Sequence, residues 1–103
     1  MKHKDAVLIT TIYHPKPGYE DQFVKIWNDK VAALAYKMGA TMVGIYHNEN
    51  TEEYLGSSHW PTALQAEKFI DSPALKSATE ATNHLCLVPA SREVFEILRE
   101  AAA

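Results

Sequence analysis

The sequence predicts an α+β domain of order β-α-β-β-α-β, with a four-stranded antiparallel sheet and helices on one face. Three observations carry this expectation. Residues 7–14 are dense in β-branched and aromatic side chains, which suit a pleated surface. A helical apolar period runs from Tyr19 to Met38, opened by Pro17-Gly18 and closed by Gly39. Two further β-rich runs flank Asn48-Glu49-Asn50, and His59-Trp60-Pro61-Thr62 then turns into another helix.

The elements follow in order. In the first strand, Val7, Ile9, Thr11 and Tyr13 share one face, and Leu8, Thr10, Ile12 and His14 share the other. Both faces carry large apolar groups, whereas a sheet covered on one side alternates with polar residues. The strand therefore reads as covered twice, which points to a homodimer. In the long helix Phe23, Ile26, Trp27, Val31, Leu34 and Met38 form one stripe. Glu20 and Asp21 sit in its first turn, where the helix dipole favours carboxylates, and Gly39 can take the left-handed cap conformation. Strands are expected at Thr41–His47 and Tyr54–Trp60. Thr62 with Gln65 has the spacing of a capping box, starting a helix to about Asp71. Ser72-Pro73 reads as an N-cap and first-turn proline, restarting a helix to about Asn83. Val94, Phe95, Ile97 and Leu98 fit strand or helix, and a strand over Arg92–Leu98 would complete the sheet.

A chain of 103 residues is expected to form a single domain over 1–103, with one modest core. A formal charge of −3 with scattered basic residues argues against nucleic acid as a partner. The longest uncharged apolar run, Ala6–Tyr13, cannot span a membrane, and the first residues do not read as a signal peptide. One cysteine, Cys86, excludes an internal disulfide framework and fits a reducing, cytoplasmic compartment.

The chain resembles the antibiotic-biosynthesis monooxygenase-like domains, ferredoxin-like chains that pair as dimeric α/β barrels. The likeness rests on Lys16-Pro17-Gly18-Tyr19-Glu20 before the long helix, the hairpin closing on Trp60, and the Ser72-Pro73 step. It covers nearly the whole chain. The resemblance implies cofactor-independent oxidation of a small aromatic or quinol, with no metal or flavin, or, as the alternative, a non-catalytic dimeric domain binding a small apolar ligand. The positions where quinol-oxidising members carry histidines are here Phe69 and Ala74. The positions of the haem-degrading branch's asparagine, tryptophan and histidine are here Thr11, Phe69 and Thr79, so haem breakdown is not expected.

The remaining candidates for chemistry are few. His3, His14, His47, His59 and His84 are dispersed, without the spacing of a metal cluster, so no metal site is expected. His59 and Trp60 point to opposite faces of one strand, so one should face the helix-covered cavity and the other the dimer side. A histidine in that cavity could take a phenolic proton and activate a quinol toward oxygen, which makes His59 or His84 the candidate base. Thr11, Tyr13, Trp60 and Phe69 are the candidate substrate-binding walls. Each has a plainer reading: Trp60 as core, His59 as an interface hydrogen-bonder, His84 as a helix C-terminal histidine, and the aromatics as packing. Cys86, between Leu85 and Leu87, reads as a buried, inert thiol.

Overall fold

The computed structural model describes residues 5–101, so His3 lies outside the described residues. The elements are β1 (Val7–Tyr13), a long helix over 20–37, β2 (Met42–His47), β3 (Tyr54–Trp60), a second helix (Ala63–Asp71), a third helix (Pro73–Asn83) and β4 (Ser91–Glu96). The sheet order is β2-β3-β1-β4, and every neighbouring pair is antiparallel. This is the ferredoxin-like α+β arrangement expected from the sequence. The ambiguous last segment is a strand, shorter than expected; beyond it Ile97 N–H still donates to the Ala6 carbonyl at 2.9 Å.

Local chemistry sets the element ends. Lys16-Pro17-Gly18-Tyr19 closes a turn with Tyr19 N–H on the Lys16 carbonyl at 2.9 Å, and Gly18 takes φ +90°. Proline followed by a positive-φ glycine is the type II pattern, which turns β1 into the long helix. At the other end of that helix Gly39 takes φ +112°, and Ala40 N–H reaches back to the Ala35 carbonyl at 2.9 Å. Thr62 Oγ1 accepts from Gln65 N–H at 3.2 Å, and Ser72 Oγ accepts from Leu75 N–H at 3.1 Å. These two caps split the later helical region into its two pieces.

The long helix departs from the expected stripe. It is α-helical over Glu20–Ile26, π-helical over Trp27–Ala32, and α-helical again over Ala33–Lys37. Ala33 N–H donates five residues back, to the Asn28 carbonyl. A π turn takes more residues per revolution, so every later residue lags in rotation. Ala35, at 1% exposure, therefore takes the core position that a uniform helix would give to Leu34, which is left half-buried.

Register assigns the two faces of the sheet. Val7 pairs with Trp60, Ile9 with Ser58, Thr11 with Gly56 and Tyr13 with Tyr54. Directly opposed residues share a face, and this face packs under the helices against Phe23, Trp27, Phe69 and Leu75. The other face carries Leu8, Ile12, Met42, Tyr46, Leu55 and Phe95 with no helix over it among the described residues, and the last four are exposed.

Candidate functional site

The helix-covered face holds a small cavity between the long helix, the third helix and the sheet. Its walls include Thr11 and Tyr13 from β1, Trp27 from the π segment, Gly56 from β3, Phe69 from the second helix and Arg92 from β4. The volume is about 20 Å³, room for about one water molecule. Phe69, Leu75 and Val31, all buried, are among its apolar walls.

Each wall residue is placed by its element. Thr11 and Tyr13 lie two apart on β1 and so point the same way. Arg92 is the direct partner of Thr11 across the β1–β4 ladder and thus projects to the same side. Gly56, on the other flank of Thr11, leaves open floor. A Cβ there would stand 3.1 Å from Trp27 Nε1 and 3.2 Å from Tyr13 Cε2. The missing side chain is what lets the indole and the phenol meet over the sheet.

Tyr13 is the polar centre of this cluster. It is 4% exposed, and burial pushes its pKa above the usual 10, with the nearby Arg92 guanidinium and the hydrogen-bonding side chains of Thr11 and Trp27 pulling the other way. It is a neutral phenol at neutral pH and acts as a hydrogen-bonding group rather than a base. Arg92 is partly buried, and among the described residues no carboxylate pairs with it. The cavity thus joins an apolar floor to one cationic, hydrogen-bonding edge.

The structure separates the residues expected to work together. Thr11, Tyr13 and Phe69 line the cavity. Trp60 faces the helices but stands behind Phe69: the rings are 4.9 Å apart, and its indole N–H donates to Ser58 Oγ at 2.8 Å. It is core, 1% exposed. His59 points to the opposite, open face, beside Leu8 and Met42, with Nδ1 3.7 Å from Glu100 Oε1. The expectation that it could be a base in the helix-covered cavity does not fit this placement. The cause is register, because pairing Val7 with Trp60 sends Trp60 under the helices and His59 away. His84 caps the third helix at the surface, where its carbonyl accepts from Lys16 Nζ at 3.1 Å, and it lines no part of the cavity.

The other histidines sit at the hairpin end. His47 Nε2 lies 3.2 Å from Glu52 Oε2 and its ring stacks on Tyr54 at 4.6 Å; His14 Nε2 lies 3.6 Å from Glu53 Oε2. Among the described residues no three metal-ligating side chains converge. A larger groove of about 620 Å³ opens here, lined by Ile12, Tyr46, Asn48, Glu53 and Leu55. It is more open and belongs to the open face, so the helix-side cavity, where polar and apolar groups converge, is the better candidate site. Cys86 is buried, and burial raises its thiol pKa, as fits an inert side chain.

Trp27, Gly56 and Arg92 were not singled out for the site by the sequence. A glycine inside a strand signals close approach of another group, so Gly56 was within reach. Arg92 required the register and Trp27 the rotation of the helix.

The architecture is that of the antibiotic-biosynthesis monooxygenase fold. A chain from Caulobacter crescentus, provisionally named an antibiotic biosynthesis monooxygenase, superposes with TM-score 0.81 at 12% identity, over 95% of this chain and 94% of that one. SnoaB from Streptomyces nogalater, a cofactor-independent oxygenase, superposes with TM-score 0.78 at 13% identity, over 93% and 96% (N63A mutant). A conserved protein from Methanosarcina mazei gives TM-score 0.77 at 13% identity, over 90% and 93%. No protein-family model and no curated relative matches the chain. Identities at this level establish the shared fold. Among the described residues no helix is long and apolar enough to cross a membrane.

Proposed function

We propose that this chain works as a homodimer that takes a small aromatic or quinol substrate into the helix-covered cavity and oxygenates it without metal or flavin. The observation that carries the reading is the cavity itself: an aromatic wall of Phe69, Trp27 and Tyr13 with polar groups gathered at one edge. The oxygenase activity named for SnoaB is consistent with it. In such chemistry the ionised substrate carbon gives an electron to dioxygen and the two radicals combine. A CH₂ group becomes a carbonyl, and its two hydrogens leave with the second oxygen atom as water. Among the described residues no histidine reaches the cavity, so the protein would promote ionisation by stabilising the substrate anion. Substrate entry requires Phe69 or Leu75 to move, because the cavity as it stands holds about one water.

The homodimer is supported by the open face. Met42, Tyr46, Leu55 and Phe95 expose apolar surface there without a covering element, and patches of this kind mark association sites.

Oxygen uptake by the purified protein on electron-rich hydroxyaromatics tests the reading. Turnover is expected to survive His59→Ala and to fall by on the order of 10² in Tyr13→Phe, which loses a hydrogen-bonding group at the reacting edge. A His59→Ala variant that loses turnover while remaining dimeric would return the chemistry to the open face. The second reading, a non-catalytic domain binding a small apolar ligand, is favoured by a cavity lining in which, among the described residues, there is no histidine. Ligand binding without oxygen consumption would establish it.

A further inference from the structure

We infer that Arg92 makes the cavity selective for aromatic ligands carrying an anionic oxygen, a carboxylate or a phenolate. The inference rests on the helix-covered cavity being the ligand site. Arg92 is the charged side chain of the cavity wall and is held there by its place opposite Thr11 on the β1–β4 ladder. Its pairing with Thr11 sets it on the helix-covered side of the sheet, and it lines the cavity together with Tyr13.

Three alternatives for Arg92 are met by the geometry. Among the described residues no carboxylate forms an ion pair with it. Glu93, its neighbour in β4, pairs with Thr10 and so lies on the opposite face. A second copy seated on the open face would also be on the far side of the sheet from Arg92. What can reach the guanidinium is a molecule entering along β4, whose helix-side residues Val94 and Glu96 are exposed. Such a ligand would place its ring against Phe69 and Trp27 and its oxygen at the rim. The guanidinium fork suits a carboxylate bidentately and a phenolate through one bond.

Calorimetric titration with three nitroaromatic probes of similar size tests this at mildly alkaline pH: 4-nitrobenzoate, 4-nitrophenolate and the neutral 4-nitrobenzyl alcohol. At least one anion is expected to bind roughly 10-fold or more tightly than the alcohol, the worth of a charge-assisted hydrogen bond. The stronger of the two anions identifies the oxygen preferred. Arg92→Gln should erase that preference while leaving affinity for the alcohol within about 2-fold, and Arg92→Lys should keep part of it. Equal binding of all three probes, or a preference that persists in a folded Arg92→Gln, overturns the inference and leaves the cavity as the site. If none of the three binds, the cavity reading itself fails and the inference falls with it.

Discussion

The two faces of the sheet come from the same strands but satisfy their apolar residues differently. On the helix side, Val7, Ile9, Trp60 and Phe69 are buried within the chain. On the open side, Leu55, Met42, Tyr46 and Phe95 keep between 38% and 57% of their surface exposed. The first face is covered within the chain, and the second is the face proposed for association. Alternation along a strand thus sends neighbouring residues such as Trp60 and His59 to different faces, one inside the core and one on the open side. It also explains why chemistry is proposed for the first face, where the cavity has room for about one water molecule and polar groups are gathered at one edge.

The sharpest way to break this contrast is Trp60→Ala. Removing a fully buried indole that packs on Phe69 should cost about 3–5 kcal/mol, read as a lower denaturation midpoint with an unchanged denaturant slope. A loss below about 1 kcal/mol would show that the helix side is not the core. Next comes Leu55→Lys on the open face. It should leave monomer stability within about 0.5 kcal/mol and weaken dimerisation by about 2 kcal/mol or more if Leu55 lies at the centre of the interface. Sedimentation equilibrium decides it, and an undisturbed dimer would remove the open face from assembly. The smallest effect belongs to Gly56→Ala, whose added methyl would crowd Trp27 and Tyr13. A cost of about 1–3 kcal/mol is expected, with altered indole fluorescence. A neutral outcome would mean that those two rings have room to move, as ligand entry requires.

Much of the architecture was legible because its signals are local. Pro17-Gly18, Gly39, Thr62 with Gln65, and Ser72-Pro73 act within a turn of their own position, and each ends or starts an element where expected. The site was less legible. Both faces of β1 carry apolar residues, so alternation showed that His59 and Trp60 diverge without showing which goes under the helices. That choice depends on the pairing of Val7 with Trp60, a long-range fact. Arg92 joins Thr11 only through the β4 register, and the π turn moves the core position from Leu34 to Ala35 by a rotation that no periodic pattern encodes. The candidate bases were chosen by residue type, and type does not carry direction.

The strand order has a consequence in time. β1 is central and is flanked by β3 and β4, so Val7 pairs with Glu96 across nearly the whole described chain. Closing so long a loop adds little to the equilibrium cost, which grows only with the logarithm of its length. It delays folding instead, and domains dominated by distant pairings fold in about milliseconds to seconds. Until β4 docks, β1 presents a bare edge rich in Val and Ile, a template for pairing with other chains. An interval before β4 docks would leave that edge open to aggregation, and variants that slow β4 docking should lower soluble yield even where final stability is unchanged.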